Sequence, residues 1–448
     1  MNAEAMLLDD EGMRNFIING YTVVRMDFPP EFHEAIYQKT SKLFAEDGNP
    51  GNDLTRKVPE VLQVWEHPSV RGALASILGP NYLMHPHRHC HQNLPGTDEQ
   101  DFHLDSYEAD ENVRHHRCRW VLAMYYPQDV TLDMGPTALL KGSHYLNEQP
   151  DRSPEAALPF LGEAGSVMII HYEAWHRAMS NQSVRQRFMM KFLFFRAEEP
   201  SRPSWDCQES FESNGEPGSQ ELYDSVWNWN CGNDVAHREN ASKADINEWL
   251  EELNNSTEST RLAAAYKLGR SGAAAMPGLM DTLRSESAAK CQSNLERRHT
   301  NASQLYSTYA LSAIGSPAVP NLVEALEEPD WWVRSAAADT LGDIGFASEM
   351  AVQKLTDCLC DPSEWVRRNA AEALGTIGSS AQPAIPELMK AMDDENRYVR
   401  LNALLSLVRI ERPARSCIPA LEKALSHEEY YIRGLTVDAL KRAGIEVQ

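Results

Sequence analysis

A Val/Ile-Arg dipeptide recurs at Val333-Arg334, Val366-Arg367, Val399-Arg400 and Ile432-Arg433, each step being 33 residues. The surroundings repeat with it: WWVRSAAADTLGDIG, EWVRRNAAEALGTIG, RYVRLNALLSLVRI and YYIRGLTVDALKRAG. Two looser copies lie upstream, TRLAAAYKLGRSG from Thr260 and SQLYSTYALSAIG from Ser303, giving about six units. A unit of this length cannot bury an apolar face alone, so its neighbours must stack on it. Each unit reads as two helices. The first begins at the Arg, carries small residues on one face and ends at Gly. A turn follows that contains Pro277, Pro320, Pro386 or Pro419, and then an amphipathic helix such as IPELMKAM or IPALEKAL. Acidic residues open the next unit, where they favour a helix N-terminus. Trp331, Trp332, Trp365, Tyr398, Tyr430 and Tyr431 stand just before the arginines. They are expected to pack between repeats, with a row of ligand contacts as the alternative. No His/Cys/Glu cluster in the array marks catalysis.

Residues 258–448 resemble HEAT repeats, in particular the short kind also found in phycobilin lyases. The resemblance implies an all-α solenoid that presents a surface to a protein partner or braces an attached domain. A lyase module acting on a chromophore-bearing protein is a remote alternative.

The 448 residues are too many for one ordinary core and suggest two or three domains. The net charge of −23 is uneven: 258–448 holds 21 basic and 25 acidic residues, leaving 21 and 40 for 1–257. An acidic N-terminal half repels nucleic acid and anionic membrane. It suits a neutral, zwitterionic or cationic small molecule better than an acyl-CoA. No apolar run reaches the roughly 18 residues a membrane span needs. The first residues, MNAEAMLLDDEGMRNF, carry acids where a secretory signal has a basic start. A cytoplasmic protein is expected. The eight cysteines are scattered without a CxxC pair and read as reduced thiols.

Residues 13–46 read helix, strand, helix, with Gly20 ending the first helix. Short strand signals follow in NYLMHPHRHCHQ, RWVLAMYYP, SVMIIHY and RQRFMMKFLFF, separated by the turn-rich stretches LPGTDEQ, DMGPTALLKGSH and SNQSV. This pattern predicts a jelly roll, a double-stranded β-helix of the cupin type with flanking helices. Three segments are expected: the jelly roll over 1–200, a connecting segment over 201–257 that docks an aromatic island, SVWNWNCG, and the repeats over 258–448.

Within the string QDFHLDS, His103 and Asp105 would share one face of a strand. One imidazole and one carboxylate make two adjacent metal ligands. A third must come from a neighbouring strand, and His176 is the candidate, with His171 as its competitor. Two His and one carboxylate on one side of iron leave positions open for a bidentate 2-oxo acid and dioxygen. A buried cation must then meet the distal carboxylate of that acid. Arg187, 11 residues after His176, is preferred over Arg185.

The pieces FIINGYTVV, QDFHLD, GPTALLKGSH and WHRAMSNQSVRQR resemble the phytanoyl-CoA dioxygenase family over nearly all of residues 13–200. The resemblance implies an Fe(II)- and 2-oxoglutarate-dependent dioxygenase acting on a small molecule with O₂. It makes His103, Asp105 and His176 the iron ligands and catalytic centre, and Arg187 the partner of the 2-oxoglutarate carboxylate. It places Trp120 beside the cosubstrate. Two features depart from the family pattern: Ala178 stands where a hydroxyl residue is common, and Lys141 replaces the proline of a Pro-Gly-Ser-His turn. Asp105 retains the carboxylate, which favours hydroxylation over halogenation. The rival is a catalytically inactive, metal-binding jelly roll that serves with the repeats as an interaction module.

The string His85-Pro86-His87-Arg88-His89-Cys90-His91 would set four imidazoles on one strand face. A half-solvated face, a pocket lining and a second metal site are its three readings. His91 and Asn93 are the candidates for cosubstrate or substrate contact. Residues 107–117, YEADENVRHHR, read as a loop over the iron or as an ordinary solvated loop.

Overall fold

The computed structural model describes residues 4–105, 115–148, 156–208, 220–233, 241–255, 257–293, 305–410, 418–442 and 444–447. The chain forms two compact units, one of residues 1–106, 118–196 and 203–210, the other of 107–117, 197–202 and 211–448. The second unit thus takes a short stretch, ending at Arg117, from between two strands of the first.

In the first unit, helix Asp10–Asn19 is capped by Asp9, whose side chain accepts the Gly12 N–H. It stops at Gly20, where φ is +78°. Strand β1 (Tyr21–Arg25) and helix Pro30–Glu46 follow. Helices Val61–Glu66 and Pro68–Leu78 lead to β2 (Leu83–Asn93) and β3 (Trp120–Tyr126). The remaining strands are β4 (Thr137–Leu140), β5 (Ala157–Pro159), β6 (Ser166–His171), β7 (His176–Ala178) and β8 (Arg187–Phe195). Five strands make an antiparallel sheet in the order β1-β6-β3-β8-β2, and three make a second sheet, β5-β4-β7. The TALL segment, read above as part of a turn-rich stretch, is a strand because all four side chains are buried.

Alternation along β8 divides the large sheet into two faces. Phe188, Phe192 and Phe194 meet the helices, with ring centroids 4.6–5.6 Å from Tyr37, Phe44 and Trp65. Each such buried aromatic contributes about 1.5–3 kcal/mol. Arg187, Met189, Lys191, Leu193 and Phe195 take the opposite face. Register places Asn93, His91 and His89 of β2 opposite Arg187, Met189 and Lys191. Between Met84 and Arg88 the register shifts, four steps of β2 passing two of β8. His85, before the shift, is buried at the far end of this face against Trp120 and Phe195, at 5.7 and 6.3 Å between ring centroids.

In the second unit the first helices of successive repeats are Glu258–Ser271, Tyr306–Ile314, Trp331–Ile344, Glu364–Ile377, Arg397–Arg409 and Tyr430–Arg442. The last four begin three residues before the repeated arginine rather than at it. The arginine is needed elsewhere. Arg334 forks onto Asp361 at 2.8 and 3.0 Å, and its Nη1 donates to the carbonyls of Glu328 and Pro329. Arg367 repeats this with Asp394 at 2.8 and 3.0 Å, and Arg400 reaches Glu429. Each arginine thus ties the turn that precedes its helix to the acid that opens the next repeat. The aromatics pack: the rings of Trp331 and Trp332 lie 5.1 Å apart, and Arg368 sits over Trp365 at 4.7 Å and Tyr398 at 5.6 Å, joining adjacent units. The SVWNWNCG island belongs to helix Gln220–Asn230, which buries Trp227 and Trp229.

Arg367→Ala leaves Asp394 and two turn carbonyls without their donor. It should destabilise the helical unit by about 3 kcal/mol, read as a shifted urea midpoint in far-ultraviolet circular dichroism. Arg397→Ala, at an exposed 3.8 Å pair with Glu429, should shift it by no more than about 0.5 kcal/mol.

Candidate metal centre

Backbone pairing builds this site. His176 opens β7 opposite Leu139 of β4. On its other side it forms a single antiparallel bridge with His103: the His103 N–H donates to the His176 carbonyl at 3.0 Å, and the His176 N–H donates back at 3.1 Å. Residues that exchange both bonds project their side chains to the same side, and the two imidazoles lie 4.7 Å apart. The expected strand through His103 and Asp105 is reduced to this one bridge; Asp105 lies beyond it in irregular backbone.

Asp105 nevertheless turns to the histidines. Its Oδ1 is 3.8 Å from His103 Nε2, and its Oδ2 is 3.3 Å from His176 Nε2. One ligand atom from each of the three residues lies within 4.8 Å of the others. Each imidazole points Nδ1 at a backbone carbonyl, His103 at Asp101 and His176 at Ala174, both at 3.0 Å. That leaves the Nε2 lone pairs directed at the shared space. Burial, with the charge of His176, holds His103 below the ordinary imidazole range. Burial alone would raise the Asp105 carboxyl, but the hydrogen bond and charge of His176, with Lys191, outweigh it and hold the carboxyl far below its usual range. A neutral His103 and an ionised Asp105 are the protonation states a divalent cation requires of these two groups.

His171 stands apart, against His144 at 4.8 Å and Phe16 at 6.5 Å. Arg185 is exposed, whereas Arg187 is 1% exposed. Arg187 donates from Nε and Nη2 to the Gly135 carbonyl at 3.1 and 2.8 Å. Asn93, its register partner, donates to the same carbonyl at 3.1 Å and to that of Met179 at 3.2 Å. Arg187 Nη1, Asn93 Oδ1 and His91 Nε2 are buried without a hydrogen-bond partner among the described residues. An unpaired buried polar group costs about 1–3 kcal/mol. Three of them on neighbouring strand positions mark a place shaped for a polar ligand, and a bound carboxylate would satisfy the guanidinium. Burial pushes His91 down to about 3 and His87 down to about 4, and lowers His89, so this wall is neutral imidazole at pH 7.

Trp120 is not brought to Arg187. It pairs with Phe195, eight residues along β8 from Arg187, about 26 Å at strand spacing. Its neighbours are His85, Phe195 and Tyr172. Ala178 offers no hydroxyl; its N–H donates to the Gln100 side chain at 3.2 Å. Of the loop expected over the iron, residues 106–114 lie outside the described residues, and His115–Arg117 count with the second unit. The histidines of β2 join no group of three metal-ligating side chains among the described residues.

Sequence reasoning missed Lys191. Its Nζ lies 2.6 Å from Asp105 Oδ2, and it is 7% exposed. The signal was present: Lys191 is the one charged residue inside FMMKFLFF, and a charge in a buried strand needs a partner.

Two outcomes follow from these contacts. Removing one member of a largely buried ion pair costs about 3–5 kcal/mol, and a divalent cation can replace the lost charge. Lys191→Met should therefore lower the unfolding temperature of the chelator-treated protein by several degrees, and by less once divalent metal is restored. Gly135 has φ +66°, and a Cβ there would stand 2.4 Å from Asn93 Nδ2 and 2.6 Å from the Met179 carbonyl. Gly135→Ala should destabilise the first unit by about 2 kcal/mol or more in thermal unfolding.

Residues 19–189 match the family model for phytanoyl-CoA dioxygenase (PhyH), and residues 302–375 and 319–407 match that for HEAT repeats. No curated protein matches the chain. Among solved structures, a non-heme alpha-ketoglutarate-dependent carbocyclase, SnoK from nogalamycin biosynthesis, is 18% identical, covering 43% of this chain and 85% of its own at a TM-score of 0.35. HygX from Streptomyces hygroscopicus, with nickel and 2-oxoglutarate bound, is 14% identical, covering 42% and 88% at a TM-score of 0.36. The nickel complex of the non-heme monooxygenase ThoJ is 16% identical, covering 49% and 96% at a TM-score of 0.34. Residues 19–189 are a domain of the phytanoyl-CoA dioxygenase family, joined to HEAT repeats over 302–407.

Proposed function

We propose that the first unit is an Fe(II)- and 2-oxoglutarate-dependent dioxygenase that hydroxylates a small molecule. The observation that carries this reading is the convergence of His103, Asp105 and His176, one ligand atom each, within 4.8 Å. Two imidazole nitrogens and one carboxylate suit non-haem iron with open positions. Bound iron and 2-oxoglutarate would supply the oxidising power for hydroxylation by O₂, with succinate and CO₂ as coproducts. The chain supplies position and a dry wall. Arg187 Nη1 receives the distal carboxylate of 2-oxoglutarate, with Asn93 and His91 as further polar contacts. Lys191 holds Asp105 Oδ2 and so fixes the carboxylate between the two imidazoles. The family match over 19–189 supports the oxygenase class. The acidic N-terminal half favours a neutral, zwitterionic or cationic substrate. The repeats offer a surface for a protein partner. No described helix is long and apolar enough to cross a membrane.

The test is succinate formation from 2-oxoglutarate by the iron-loaded full chain, with and without a panel of neutral, zwitterionic and cationic substrates. The expected result is substrate-stimulated succinate that His103→Ala abolishes. Arg187→Ala should raise the KM for 2-oxoglutarate tenfold or more, since losing a charge-assisted hydrogen bond costs about 1.5–3 kcal/mol. Succinate no higher than the His103→Ala control across the panel would favour the inactive jelly roll.

A further inference from the structure

The repeat register stacks a row of polar side chains that the oxygenase reading does not use. Tyr266, Tyr309, Asp339 and Glu372 each stand six residues before the glycine at the end of a helix: Gly272, Gly315, Gly345 and Gly378. They occupy equivalent positions on the first helices of four successive repeats. The described segment His115–Arg117 belongs to the same unit and meets this row. His116 stacks on Tyr309 with ring centroids 4.0 Å apart, and its Nδ1 lies 2.6 Å from the Tyr266 hydroxyl. Arg117 donates to the carbonyls of Asp343 and Ser312. These contacts set His115 beside the two acids.

His115 Nε2 is 3.6 Å from Asp339 Oδ1. That is too long for a hydrogen bond. It falls within the 3.3–3.8 Å by which His103, His176 and Asp105 are separated at the first centre. It is the spacing of two ligands on one cation with bonds of about 2.0–2.2 Å. His115 Nδ1 lies 3.4 Å from Asp343 Oδ1, and Ser312 Oγ donates to the other Asp343 oxygen. An imidazole with one nitrogen toward a fixed carboxylate and the other toward further carboxylates has the carboxylate–histidine arrangement of metal-bound histidines. One ligand atom each from His115, Asp339 and Glu372 lies within 4.8 Å of the others, and both acids are buried. The sequence of the repeats alone shows no such cluster, because its histidine comes from outside them.

We propose that His115, Asp339 and Glu372 form a second divalent-cation site, with Asp343 orienting the imidazole. One nitrogen and two carboxylates suit Zn²⁺, Mn²⁺ or Fe²⁺. The cation fastens the segment around His115, ten residues after Asp105, to the repeat helices.

The test is calorimetric titration of the chelator-stripped full chain with Zn²⁺ alone, together with metal analysis after desalting. The wild-type chain should bind two equivalents, His103→Ala one, and His103→Ala combined with Asp339→Asn and Glu372→Gln none. His115→Ala in the His103→Ala background should also lose the remaining equivalent; it leaves the helices untouched and so covers misfolding of the acid variants. No saturable equivalent in His103→Ala would overturn the proposal, as would one that survives both the acid and the His115 substitutions. A wild-type chain binding a single equivalent that persists in His103→Ala would support this site and instead count against the first.

Discussion

The two backbone hydrogen bonds between His103 and His176 are the constraint on which the first centre depends. Asp105 has no ladder of its own, and β7 is only three residues long. The bridge, with the hydrogen bond from the Gln100 N–H to the Ala178 carbonyl at 2.9 Å, fixes the register of the segment carrying His103 and Asp105 against the small sheet. With it, both imidazoles project into one space, and their Nδ1 nitrogens fall beside carbonyls two residues upstream in each chain segment. The tautomer, the ring orientation and the separation of the nitrogens thus follow from one local pairing. The carboxylate is then drawn in by charge, since Lys191 on the large sheet holds it from the other side.

That lysine also explains how the large sheet can be apolar on its helix side and polar toward the site. Successive residues of β8 alternate between Phe188, Phe192 and Phe194 on one face and Arg187 and Lys191 on the other. A one-residue slip would put two cations among the helices and the phenylalanines in the site. The pairing of Asn93 with Arg187 guards against it, because both side chains converge on the single carbonyl of Gly135. Gly135 can serve two donors only because it has no Cβ in a space already filled by Asn93 and Met179.

Much of this was legible in the sequence, and the failures have physical causes. Short strand signals between turn-rich stretches found β2, β3, β6 and β8, and period 33 found the repeats. The TALL strand was hidden because it is four residues long and lies inside a stretch rich in turn residues. The histidines of β2 read as one row, but the register shift leaves no mark in the sequence and sets His85 apart from His89 and His91, at the Trp120 end. His103, Asp105 and His176 could be named as a group, but not the irregular backbone that joins them. Trp120 was placed by the family resemblance, whereas the antiparallel register sends it to the far end of β8. Lys191 was visible as a charge in an apolar strand, but the carboxylate it meets, Asp105, stands 86 residues away in sequence.

The repeats show the complementary lesson, that a period fixes chemistry as well as packing. Arg334, Arg367 and Arg400 each satisfy turn carbonyls within their own unit and an acid in the next, so one unit completes its neighbour. A truncated array would leave such an arginine or its acid exposed at the cut. The same register that aligns the arginines also aligns the positions six residues before each closing glycine. Where those positions hold Tyr266 and Tyr309 the row stacks against an imidazole; where they hold Asp339 and Glu372 it becomes a pair of carboxylates on adjacent helices. Helix stacking therefore brings two carboxylates together in a buried place, where a shared cation would offset their like charge. A histidine delivered to that place with its outer nitrogen already directed at Asp343 is oriented to share a cation rather than to neutralise both acids itself.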